Sequence, residues 1–111
     1  LISHHSFNHT EHIIAIRQAK TDEDGIWHDD GSRHMAFTWS LNESPESISG
    51  GELLFCKKPK VYGQRSNINT FSPPIIGTLI IFLTGEYGFE HKVNEVTSGE
   101  RKTIAGWCST K

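Results

Sequence analysis

The feature that most restricts the fold is how the apolar residues are broken into short runs. Ten glycines and four prolines interrupt a chain of 111 residues rich in aromatic and β-branched side chains. No stretch keeps the three-to-four-residue apolar period of a long helix. The chain reads instead as about eight short strands joined by turns. Strands are expected over 12–17, 26–30, 34–42, 51–56, 67–71, 77–83, 89–93 and 101–108. A polar turn is expected at 21–25, a loop containing Pro45 at 42–50, and a hairpin approach at 86–90. This pattern predicts an all-β fold, a sandwich or a double-sheet jelly roll of the cupin kind. The length suits one domain, 1–111, with a single modest core over about 12–108.

Strand parity says more. From Met35 onward, one face carries Met35, Phe37, Trp39 and Leu41, and the other Ala36, Thr38 and Ser40. In the last strand Arg101, Thr103, Ala105 and Trp107 share a face, with Ile104 and Cys108 opposite. Neither face of these strands is wholly polar, so each is expected to be covered. The chain offers no helix for the outside, which predicts a partner there: a second copy in a homo-oligomer, or a further segment.

Charge narrows the function classes. A net charge of -2 lacks the basic footprint of a nucleic-acid binder. The cluster Lys57, Lys58 and Lys60 reads as a solvated loop, and His4, His5, His9 and His12 as scattered surface histidines. Cys56 and Cys108 have no CxxC spacing and are expected reduced, in a cytoplasmic protein. The longest apolar run, 75–83, is broken by Gly77 and Thr78 and is too short to span a bilayer.

The chemistry-bearing residues fall in two elements. In a strand at 26–30, His28 and Asp30 project together and Asp29 points away. An imidazole and a carboxylate side by side make two neighbouring metal ligands. Antiparallel strands bring His91 across to them, which completes a two-histidine, one-carboxylate face. That face holds iron(II) and leaves positions open for a chelating cosubstrate and dioxygen. Gly99 permits a turn back into the sheet, after which Arg101 faces inward. Its guanidinium fork matches a carboxylate, such as the distal carboxylate of 2-oxoglutarate.

His28-x-Asp30, then His91-x-Val93-x-x-Val96-x-x-Gly99-x-Arg101, then Trp107, resembles the prolyl-4-hydroxylase-like branch of the Fe(II)/2-oxoglutarate-dependent dioxygenases. Leu41-Asn42 and Gly50-Gly51-Glu52-Leu53 fit the same family, and the resemblance runs from about Ile13 to Trp107. It implies a double-stranded β-helix, here a minimal core lacking the usual N-terminal helices. It implies Fe(II) at His28, Asp30 and His91, with 2-oxoglutarate at Arg101 assisted by Thr103, Ser40 and Trp107. Ascorbate is an auxiliary expectation. Oxidative decarboxylation would yield succinate and carbon dioxide while an unactivated C–H bond is hydroxylated. The chain departs from some relatives at Ser40, where they place a tyrosine, and at Ala105, where they place a threonine.

Arg33, Trp39 and Trp27 flank the site and are expected to contact substrate. A prolyl residue in a peptide is the first expectation by resemblance, and a small molecule is the other. Two rival readings fit the same residues: a cupin-like module that binds metal without catalysis, and an inactive structural domain. Succinate release coupled to loss of 2-oxoglutarate separates the enzyme from both.

Overall fold

The computed structural model describes residues 8–19, 25–59, 65–85 and 88–110. Nine strands form among them: β1 (His9–Gln18), β2 (Met35–Ser40), β3 (Ser49–Gly50), β4 (Leu53–Cys56), β5 (Asn69–Phe71), β6 (Leu79–Leu83), β7 (Glu90–Val93), β8 (Val96–Ser98) and β9 (Glu100–Ser109). A four-stranded antiparallel sheet runs β1-β9-β2-β6, a three-stranded one β5-β4-β7, and β3 pairs with β8. From β2 onward the chain passes back and forth between the two larger sheets. This is the winding of a jelly roll, so the all-β expectation holds. The backbone of the larger sheet is the β1–β9 ladder, in register from His9 opposite Ser109 to Gln18 opposite Glu100.

The two layers meet through aromatic rings. Phe55 of β4 packs edge-on against Phe82 of β6, with centroids 4.6 Å apart. Phe82 in turn packs on the His91 ring at 4.7 Å. Among the described residues the buried apolar core is Ala36, Leu53, Phe55, Cys56, Val96 and Cys108. Both cysteines are free and buried, as their spacing suggested.

The outer face of the larger sheet is different. Ile14, Ile16, Trp39, Leu79, Ile81 and Leu83 are all exposed. The cross-strand pairs Trp39 with Leu79 and Phe37 with Ile81 run down it. This exposed apolar face agrees with the parity reading that neither face is wholly polar. No helix among the described residues is long and apolar enough to cross a membrane.

Two expectations need correction. Residues 26–30 are not a strand. His28 forms only an isolated bridge to His91, because Asp30 and Gly31 take φ of 65° and 62° and turn the chain out of extended geometry. The 42–50 loop contains a 3-10 turn, Pro45–Ser47, and strand β3. The β3–β8 pair was not foreseen, since two or three residues carry no readable period. Its register shifts between Ser49 and Gly50. Gly50 is needed there: at φ 77° an added Cβ would lie 2.1 Å from the Glu95 carbonyl oxygen. Residues 21–24 of the polar turn, His4, His5, Lys60, and Glu86 and Tyr87 of the hairpin approach lie outside the described residues.

Candidate metal centre

The centre is built on β7. That strand pairs with β4 on one side, placing His91 opposite Phe55. On its other side runs the segment from Gly25 to His28. Gly25 N–H donates to the Val93 carbonyl at 2.9 Å, and His28 and His91 exchange backbone bonds of 3.1 and 2.9 Å. The two imidazoles become neighbours, with centroids 4.3 Å apart.

The chain then turns sharply. Asp29 Oδ1 accepts the Gly31 N–H at 2.8 Å, and its carbonyl accepts the Gly85 N–H at 2.6 Å. Lys58 Nζ lies 2.8 Å from Asp29 Oδ2. Asp29 thus pins the turn. Asp30 sits in the left-handed region, which a short polar side chain tolerates better than most. The turn swings the Asp30 carboxylate back onto the imidazoles. Oδ1 lies 3.2 Å from His28 Nε2 and Oδ2 lies 3.1 Å from His91 Nε2. His28 and Asp30 do share a side, but a turn brings them there, not strand parity.

One ligand atom from each of His28, Asp30 and His91 falls within 4.8 Å of the others, so the three could hold a metal ion. His28 Nδ1 donates to the Ile26 carbonyl at 2.8 Å. This orients the ring and leaves the Nε2 lone pair for a metal. The side chains of Asp30 and His91 are nearly buried and that of His28 is half exposed. The site therefore opens to solvent on the His28 side. Two imidazole nitrogens and one carboxylate suit iron(II).

Burial alone would raise the pKa of Asp30. The hydrogen bonds and charges of His28 and His91 outweigh it and hold the carboxyl well below the usual carboxylate range. His28 is shifted up, chiefly by its hydrogen bond to Asp30 and against the effect of burial. A raised pKa keeps the proton on Nε2 to higher pH, and a metal must displace it. Metal affinity is therefore expected to strengthen as pH rises, until His28 is neutral. Titrations across roughly pH 6 to 8, where imidazoles change charge, check this. A flat affinity would argue against ligation by His28.

Arg101 is buried on the inner face of β9, at 4% exposure. Its Nε has no hydrogen-bond partner, and no carboxylate pairs with it among the described residues. Burial, then the charge of Arg17, lowers its pKa to about 10. Gly51 makes room for it. A Cβ at Gly51 would come within 3.1 Å of Arg101 Cδ and 3.0 Å of Val96 Cγ2. A buried guanidinium whose Nε has no hydrogen-bond partner fits a carboxylate-bearing cosubstrate.

The other expected site residues separate into groups. Thr103 is buried opposite Ser40 in the β2–β9 ladder. The Ser40 hydroxyl donates to the Pro74 carbonyl and accepts from Asn42 N and Nδ2 at 3.2 and 3.0 Å. It has no proton left for a cosubstrate carboxylate. Trp107 points inward, but its Nε1 donates to Asp30 Oδ2 at 3.0 Å. Arg33 stacks on the Trp107 ring at 4.8 Å. Trp27 lies under Arg65 at 4.8 Å, and Arg65 pairs with Glu90 at 2.9 Å, beside His91. Trp39 is not brought to the site. It occupies an outward position of β2 and is exposed on the far side of the sheet. The expected substrate contact at Trp39 is corrected by that parity. Sequence reasoning missed the Trp107–Asp30 bond, which joins residues 77 apart.

Comparison with known proteins bears on this arrangement. The family model described as the 2OG-Fe(II) oxygenase superfamily matches residues 4–109. The fold is similar to that of a Pseudomonas putida prolyl-4-hydroxylase, with a TM-score of 0.70 and 23% identity over 95% of this chain and 54% of that one. It is similar to a Burkholderia pseudomallei oxidoreductase of the 2OG-Fe(II) oxygenase family, at 0.62 and 20% over 89% and 44%. It is also similar to a Trichoplax adhaerens prolyl hydroxylase, at 0.65 and 18% over 93% and 45%. That hydroxylase was solved with a hypoxia inducible factor oxygen degradation domain peptide fragment. The chain spans about half the length of these solved structures. A comparison with curated proteins gives no match.

Proposed function

Since the chain belongs to the 2OG-Fe(II) oxygenase superfamily, we propose that it forms the core of an iron(II)- and 2-oxoglutarate-dependent dioxygenase that hydroxylates an unactivated C–H bond. The observation that carries this reading is a pairing of features. A triad fit for iron lies beside the inner face of β9, and the same face carries a buried arginine that no described carboxylate satisfies. A module that only holds metal needs the first feature and not the second.

In this reading His28 Nε2, His91 Nε2 and one oxygen of Asp30 hold the metal. Iron(II), when bound, supplies the dioxygen chemistry that turns 2-oxoglutarate, dioxygen and a C–H bond into succinate, carbon dioxide and an alcohol. The protein's part is placement. Arg101 takes the distal carboxylate of the cosubstrate, which orients its keto-acid end toward the triad. Phe82 and Phe55 wall His91 with apolar surface, which keeps water from that side. Ionised Asp30 supplies negative charge without a proton to lose. The half-exposed side, at His28, admits dioxygen and substrate.

A prolyl residue in a peptide is the substrate we place first, supported by the fold shared with prolyl hydroxylases. The exposed outer sheet face supports contact between two copies of the chain. A solution mass of one chain by light scattering would refute that contact.

The test is direct. Anaerobic iron(II) and 2-oxoglutarate are expected to give a weak visible charge-transfer band. Air and ascorbate should then release succinate in step with 2-oxoglutarate loss, and a proline-containing peptide library should gain 16 Da. Stoichiometric metal without a band or succinate would favour the metal-binding module instead.

A further inference from the structure

Asp30 is reached by a chain of side chains that starts on β1, a strand that carries no member of the triad. Glu11 of β1 lies opposite Trp107 of β9 in the ladder. Its two oxygens accept from Arg33 Nε at 3.1 Å and Nη2 at 3.2 Å. The guanidinium held this way lies over the Trp107 ring at 4.8 Å. The indole N–H then donates to Asp30 Oδ2 at 3.0 Å. We propose that Glu11, Arg33 and Trp107 are positioning residues that set the Asp30 carboxylate for the metal, so that the centre depends on β1.

Each link has a physical reason. A two-pronged arginine–carboxylate pair fixes direction as well as distance. Glu11 therefore immobilises a side chain that would otherwise be free in the loop. A cation over the indole face restrains the ring against rotation. Indole is a donor only, so its N–H marks one carboxylate oxygen and never competes for the metal. Oδ1 is left with its lone pairs toward His28. Asp30 needs such restraint, because it sits at φ 65° where side chains rarely rest. Partners that hold a metal-binding carboxylate commonly matter about 10–100-fold in metal affinity.

Arg33 and Trp107 thereby have roles distinct from direct contact with substrate or cosubstrate. The inference rests on the metal reading of the triad. The experiment therefore measures metal binding in the absence of both small molecules. Cobalt(II), whose visible bands report coordination geometry, is titrated into metal-free protein. Trp107→Phe is expected to raise the cobalt Kd about tenfold or more and to shift the bands. Arg33→Lys and Glu11→Gln should weaken binding in the same direction. In the Trp107→Phe background, Arg33→Lys should add nothing.

Wild type that binds no cobalt would overturn both the metal reading and this one. Wild type that binds, with Trp107→Phe giving the same Kd and bands, would overturn this inference alone. So would an Arg33→Lys effect equally large in both backgrounds. If Trp107→Phe fails to fold by far-UV circular dichroism, the two surface variants decide. Cobalt bands unchanged in Arg33→Lys and Glu11→Gln refute the relay.

Discussion

Replacing Asp30 by alanine is expected to abolish iron-dependent turnover, a loss of about 10³-fold or more, while Asp29→Ala keeps most of it. The two residues are adjacent, both acidic and both engaged, so the contrast is demanding. In the proposed centre Asp30 would supply the carboxylate, whose oxygens face both imidazoles at 3.1–3.2 Å. Its removal leaves two nitrogens and no anionic charge in the site. The cost should exceed the roughly 10–100-fold typical of residues that merely support a ligand. Asp29 instead holds the turn. Its loss removes one hydrogen bond from Gly31 and a part-exposed ion pair with Lys58. Such contacts are worth about 1 kcal/mol each or less. Bound metal by elemental analysis and succinate release report the outcome, with the metal-free thermal midpoint as a check on folding. Equal losses from the two variants would refute the turn as the reason that Asp30, and not Asp29, meets the histidines.

The turn also shows what could be read in the sequence. The pairing of His28 with Asp30 was legible from spacing, yet by a route the molecule does not take. Extended parity would place the two on one face. The chain places them together by leaving the strand at Asp30. The Asp-Gly pair at 30–31 is the kind of turn signal that parity overlooks. Parity succeeds where strands are long. Along β2 it sets Ser40 and Trp39 on opposite faces, along β9 it groups Thr103 with Trp107, and the ladder agrees, although Trp39 was still expected at the site.

Contacts between distant segments left no local mark. Ser40 is saturated by Pro74 and Asn42, and Pro74 lies 34 residues away. Glu11 and Arg33 meet only because β1 pairs with β9 and the Asp30 turn folds back over it. A sequence shows which residue types could do the chemistry. It does not show which of them are already committed to one another, and commitment separates Ser40 from Arg101.

Arg101→Met is expected to leave the ligand-free protein at least as stable as wild type and to weaken 2-oxoglutarate binding about 100-fold or more. The two halves have one cause. Arg101 is buried without a described carboxylate partner, and its pKa is lowered to about 10 by burial and then by Arg17. A base whose pKa is depressed on folding carries its charge at a cost to the folded state. That cost is full below about pH 10 and disappears only as pH rises toward the unfolded value. At neutral pH the guanidinium therefore works against the fold. Methionine removes the charge and keeps an unbranched stem beside Gly51, where Arg101 Cδ now lies. A carboxylate from the cosubstrate would turn the cost into a gain. Removing one member of a buried charged pair costs about 2–5 kcal/mol of binding, or more than tenfold and up to several thousandfold. Thermal midpoints with and without 2-oxoglutarate, at fixed metal, measure both effects. Wild type should gain a concentration-dependent rise that Arg101→Met lacks. A variant that keeps the rise would remove Arg101 as the anchor. A ligand-free variant much less stable than wild type would mean that the guanidinium is satisfied by the protein itself, and the case for a cosubstrate carboxylate at this position would fall with it.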